Sequence, residues 1–211
     1  MLYKTYFTDK KFLLSFFSGL VLLGISLIVQ FFASGYVARS SSGPVTDIIL
    51  SNTRAYDVGG IFVWGSVALV IFCLFLALRR PNYTPFVMKS VAVFTLIRSV
   101  FISLTHISPF PTRILIDSAF FTKEAFTGIF TGNDLFFSGH TGIPFLLALI
   151  FWENKTLRIF FLSFSVIFAV VVLLGHLHYS IDVLSAYFIT FSIFHICKFL
   201  FKKDWHLFLK K

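Results

Sequence analysis

Apolar residues gather along this chain in six blocks, at 12–33, 59–78, 83–105, 135–152, 159–174 and 179–200, and most polar residues fall in the gaps between them. A bilayer core about 30 Å thick takes roughly 20 residues of helix to cross. The blocks are of that order, so the pattern predicts six transmembrane helices. The fold class expected is all-α: a polytopic membrane protein forming one helical bundle over residues 1–211. The first block has an apolar core too long for a secretory leader and reads as a retained anchor. No internal repeat or low-complexity tract interrupts the series.

Composition agrees with the pattern. Hydrophobic residues make up 57% and charged residues 13%, and mean hydropathy is +0.89. A water-soluble domain is closer to half apolar and a quarter charged. The 31 phenylalanines suit lipid-facing and helix-packing surfaces. A net charge of +9 raises nucleic acid as a partner. The basic residues lie mostly at the tails and in two short loops, however, so topology accounts for them and nucleic acid is set aside. Cys73 and Cys197 fall inside apolar blocks and are expected to stay as free thiols.

Lysines and arginines orient the bundle, because cytoplasmic loops hold the excess. One side collects thirteen, including Lys10, Lys11, Arg79, Arg80, Lys155 and Arg158; the other has only Arg39, Arg54, Arg113 and Lys123. Both termini are therefore expected in the cytoplasm. His140, at the start of the fourth block, then lies on the outer, exoplasmic or periplasmic, side, with His178 and Asp182 at the start of the sixth. Arg98 falls in the outer half of the third block, at similar depth.

These residues carry the chemistry. His178 and Asp182 are four apart and share a helix face, so the carboxylate can hold the imidazole. An interfacial histidine merely satisfied by a nearby acid is the alternative. Ionisable groups inside a membrane are functional candidates by default, and a histidine oriented in this way can attack phosphorus. Ser138 and Gly139 read as a helix cap whose free amides attract an anionic phosphate, with His140 beside it as general acid. Arg98, deep in an apolar block, suits a bidentate grip on phosphate oxygens; a salt bridge to Asp134 or Asp182 is the other option. Asp134 could orient His140, and Tyr179 could shape the pocket or anchor the interface. His176 is two residues from His178 and points elsewhere on a helix, His106 reads as an interfacial residue, and His195 lies far along the last block. His140, His176, His178 and Asp182 include zinc-ligand types but no zinc-ligand spacing, so neither a metal nor a cofactor is expected.

Three stretches resemble the sphingomyelin synthase-like branch of the type 2 phosphatidic acid phosphatase (PAP2) superfamily. Leu96-Ile97-Arg98-Ser99-Val100-Phe101 through Ser108-Pro109-Phe110-Pro111 is similar to its arginine followed by a Leu-Pro-x-Pro turn. Gly132-Asn133-Asp134-Leu135-Phe136-Phe137-Ser138-Gly139-His140-Thr141 resembles its Cys-Gly-Asp-x-x-Phe-Ser-Gly-His-Thr block, and His178-Tyr179-Ser180-Ile181-Asp182-Val183 its His-Tyr-Thr-x-Asp-Val block. The resemblance implies a phosphohistidine route: His178 attacks, Asp182 orients it, and His140 protonates the leaving alkoxide and later deprotonates the acceptor. It also implies a phospholipid donor and a lipid-alcohol acceptor, ceramide or diacylglycerol. Hydrolysis, by a PAP2-type lipid phosphatase or a phospholipase C-like enzyme, is the competing activity.

The chain departs from the superfamily in telling places. Cys73 stands where the phosphatases have a lysine before Arg80-Pro81, and Val172 replaces their second arginine. Fewer cations suit a singly charged diester. Leu177 occupies the position of a glutamate in the choline-transferring enzymes, and Thr112 and Asn133 also deviate, so the head group is open.

Overall fold

The computed structural model describes residues 6, 8–116 and 134–209. Lys4, Lys123, Gly132, Asn133, Lys210 and Lys211 lie outside the described residues. Seven α-helices occur among those described: α1 Lys10–Ser40, α2 Gly59–Arg79, α3 Thr84–Leu104, α4 Gly139–Ile150, α5 Lys155–Leu174, α6 Ser180–Leu200 and α7 Lys202–Leu209. No strand is present among the described residues.

Three of these helices begin at a side-chain cap. Asp9 accepts from Lys11 N at the start of α1, Asn154 from Leu157 N at the start of α5, and Ser138 from Thr141 N at the start of α4. Pro81 and Pro85 occupy first-turn positions near the start of α3, where a missing N–H costs little.

Five helices are long and apolar enough to cross a membrane; α4 is a shorter apolar helix. The expected fourth span, 135–152, is thus cut back. Residues 134–138 approach as non-helical chain, Ser138 caps the start, and the helix ends at Ile150. Twelve residues make about 18 Å of helix, well short of a bilayer core. Pro144 inside α4 also has no N–H to donate to His140 O.

The core lies where α4 packs on α5 and α6 and where α3 lies along α1. Phe86, Phe94, Phe137, Phe161 and Phe168 are buried there, while large apolar side chains such as Leu14, Trp64, Leu78 and Phe188 remain exposed. That outward apolar surface suits lipid as the solvent, since a helix satisfies its own backbone. α2 is the least buried of the long helices and meets α5 closely at Gly65, where an added Cβ would lie 3.2 Å from the Phe168 ring.

α7 was not among the expected elements. It turns Trp205 and Phe208 towards Phe86 and Tyr83 and is held by a buried ion pair, Lys89 Nζ to Asp204 Oδ2 at 2.6 Å. Ser15 of α1 also bonds Asp204.

At the opposite end of the bundle, three loops are stitched together. Ser42 N donates to His106 O at 2.7 Å, Tyr56 N to Leu174 O at 2.8 Å and Ile114 N to Gly175 O at 3.1 Å. The starts of α4 and α6, with the candidate chemistry, lie at this stitched end.

Candidate active site

His178 sits in the turn before α6 and is buried, at 7% exposure. Asp182, fully buried in the first turn of α6, holds it: Oδ2 lies 3.4 Å from His178 Nδ1 and accepts from Tyr179 N at 2.9 Å. With Nδ1 turned to the carboxylate, the neutral imidazole has its lone pair on Nε2. Nε2 makes no hydrogen bond among the described residues. Asp182 Oδ1 is buried without a hydrogen-bond partner.

Ser138 N donates to Asp182 O at 3.1 Å. This single backbone bond joins the two motifs, which lie some forty residues apart in sequence. His140 is the second residue of α4, two positions beyond Ser138. Its ring packs against Phe62 of α2, with centroids 4.1 Å apart, and near Phe168 of α5, at 5.8 Å.

Arg98 reaches from α3 into the same region. Nη1 donates to Asp134 Oδ2 and Nε to Phe137 O, both at 2.8 Å, and Nη2 donates to Asp134 O. The ion pair with Asp134, one of the two options for this arginine, is present. All three guanidinium nitrogens hold the chain that leads into His140. An added Cβ at Gly139 would meet Arg98 Nε at 3.4 Å, so a glycine lets the helix start lie directly beside the guanidinium. Ser138 Oγ is fully buried and used locally, by Thr141 N and Thr141 Oγ1. Tyr179 is buried against Leu50 and Leu135. Its hydroxyl donates to Ser108 O at 2.8 Å and accepts from Val45 N at 3.2 Å.

The other histidines stand apart. His176 bonds Thr112 Oγ1 at 2.6 Å and Thr53 Oγ1 at 3.3 Å. Burial lowers its pKa, against the opposing pull of Asp47. His106 packs on Tyr36, and His195 lies among Phe191 and Phe194 along α6. Among the described residues no three His, Cys, Asp or Glu side chains gather as a metal-holding group.

Two site neighbours had escaped the reading of the sequence. Gln30 of α1 accepts from Ser99 Oγ at 3.0 Å and points Nε2 at Asp134 Oδ2, 3.4 Å away. A lone amide in an otherwise apolar block was the available signal. Phe62 gave none, being one phenylalanine among 31.

Residues 131–199 match the family model of the PAP2 superfamily C-terminal domain. Over that segment, less than half of the chain, the protein is similar to this domain. The PAP2 segment takes in His140, His178 and Asp182, and leaves Arg98 outside it. No curated protein and no solved structure matches the chain significantly.

Proposed function

We propose that the chain is a membrane phosphotransferase, sphingomyelin synthase-like, that moves a phospho-head group from a phospholipid to a lipid alcohol. The observation that carries this reading is the bond from Ser138 N to Asp182 O, which brings the two histidine motifs to one end of the bundle. His178 Nε2 attacks phosphorus and the bond to the lipid alkoxide breaks, with His140 supplying the alkoxide's proton. Asp182 stabilises the imidazolium side of the phosphohistidine. His140, now neutral, takes the proton of the acceptor hydroxyl, whose oxygen displaces His178 from phosphorus.

A diester rather than a phosphomonoester is favoured by the state of Arg98. Its charge is shared with Asp134 and two carbonyls, leaving little net positive charge for a dianion. The test supplies a phospholipid with a radiolabelled head group, plus ceramide or diacylglycerol, to membranes containing wild type or His178→Ala. Wild type is expected to form a new labelled lipid and the variant none. Equal yields from both would sink the reading. Label found only in a water-soluble phosphate assigns the chemistry to hydrolysis, with water resolving the intermediate.

A further inference from the structure

The loop between α1 and α2 carries an aspartate that neither the motifs nor the family match includes. Asp47 is nearly buried, at 7% exposure, and its two oxygens serve different elements. Oδ1 accepts from Ile49 N at 2.9 Å and Leu50 N at 3.0 Å, folding the turn Leu50–Asn52. Oδ2 accepts from Ser180 N and Ser180 Oγ, both at 2.7 Å. Ser180 is the first residue of α6, between His178 and Asp182.

The first amides of a helix have no partner within it. In α6 those amides compete for acceptors, because Asp182 stands in the same turn and is the carboxylate that holds His178. The Tyr179 carbonyl takes Asp182 N and Val183 N, but its side chain brings no acceptor to Ser180, its hydroxyl being engaged by Val45 and Ser108. Asp47 fills the gap from outside the helix. With Ser180 served by Asp47, Asp182 Oδ2 is left to Tyr179 N and His178 Nδ1. Burial would raise the pKa of Asp47, but bonds from Leu50, Ser180 and Ile49 outweigh it and hold the carboxyl below its usual value. It therefore acts as an anion at neutral pH. The same turn reaches the other motif, since Leu50 packs with Tyr179 and with Leu135 of the segment leading to His140.

We infer that Asp47 is a positioning residue for the reaction: by taking both donors of Ser180, it keeps the Asp182 carboxylate committed to His178. This rests on the phosphohistidine reading of the site. Without Asp47, Ser180 N and Ser180 Oγ lose their acceptor, and Asp182, in the same helix turn, is the carboxylate whose placement against His178 is disturbed. Chemistry then suffers more than binding, because both Asp47 oxygens are engaged by Ile49, Leu50 and Ser180.

The experiment measures kcat and KM for head-group transfer from radiolabelled phospholipid in mixed micelles, for wild type, His178→Ala, Asp47→Ala, Asp47→Asn and Ser180→Ala, with thermal unfolding alongside. Asp47→Ala is expected to lose about tenfold or more in kcat, the equivalent of one charged hydrogen bond, with KM within about twofold. Asp47→Asn, whose single acceptor oxygen serves one element at a time, falls between. Ser180→Ala removes only the hydroxyl bond, should leave the fold intact, and loses a few-fold in kcat. Because both changes act on one interaction, adding Ser180→Ala to Asp47→Ala costs less than the two separate losses combined. Wild-type kcat in Asp47→Ala or Ser180→Ala, with His178→Ala inactive, overturns the inference alone, as does a raised KM at unchanged kcat. Full activity in His178→Ala overturns the phosphohistidine reading and the inference with it.

Discussion

Asp182 is asked to do two things with one oxygen, holding an imidazole and a backbone amide, while its second oxygen is buried and unpartnered. Such economy is stable only where surrounding groups are spoken for, and the turn before α6 shows how. His176, with a left-handed φ of 52°, is pinned between Thr112 and Thr53 as a neutral ring. Its folded pKa lies below the ordinary 6.5, chiefly through burial. The sign follows from linkage: the stabilisation is whole above the unfolded value and is lost as pH falls towards the folded one. We expect the thermal midpoint in detergent to drop more between pH 7.5 and 5.5 for wild type than for His176→Gln, which keeps hydrogen-bonding groups but does not titrate. Parallel pH dependences would remove this role. The histidine–aspartate spacing reads as one helix face, yet His178 precedes α6; the pair forms because the Asp182 carboxylate turns back over the helix start to Tyr179 N and His178 Nδ1. Asp47 was not legible, since its partner Ser180 lies 133 residues away and nothing local marks the bond.

Among the helices, α4 is where pattern and structure part. Its apolar block is long enough to span, yet the chain reserves residues 134–138 for the grip of Arg98 and begins the helix only at Gly139. Hydropathy alone does not distinguish an apolar residue in a helix from one in a buried approach loop, and Leu135 and Phe137 are of the second kind. α7 escaped for the reverse reason: two inward aromatics among charged residues read as a polar tail. The other helices fall within a few residues of their blocks, except that α1 extends to Ser40. Gly142 sets how closely α4 approaches its neighbours. A Cβ there would meet the Phe94 ring at 2.7 Å and Thr190 Oγ1 at 2.9 Å, from α3 and α6. Gly142→Val is accordingly expected to destabilise the bundle by about 2 kcal/mol and to move His140 on the same helix. Chemical unfolding in detergent gives the first quantity, and a wild-type midpoint would show that the neighbours yield freely.

At the scale of the whole molecule, the two ends differ in construction. One is closed by a charged side-chain latch, Lys89 with Asp204; the other is laced by backbone bonds between three loops and carries the proposed chemistry. From the excess of lysine and arginine at the latched end we propose, by the positive-inside rule, that the laced end faces outward. In a Cys73→Ser, Cys197→Ser background, a membrane-impermeant maleimide should label exposed Asn52→Cys in intact cells and spare Glu153→Cys. Labelling of Glu153→Cys alone would reverse the topology. The packing of Phe62 against His140 has a consequence at this scale. On the mechanism proposed above, an alkoxide that takes a proton from that imidazole arrives beside an aromatic ring borne by the least buried long helix. Turnover would then be throttled by sideways travel of α2 through lipid, and stiffer bilayers would slow the protein even with every reacting atom in place.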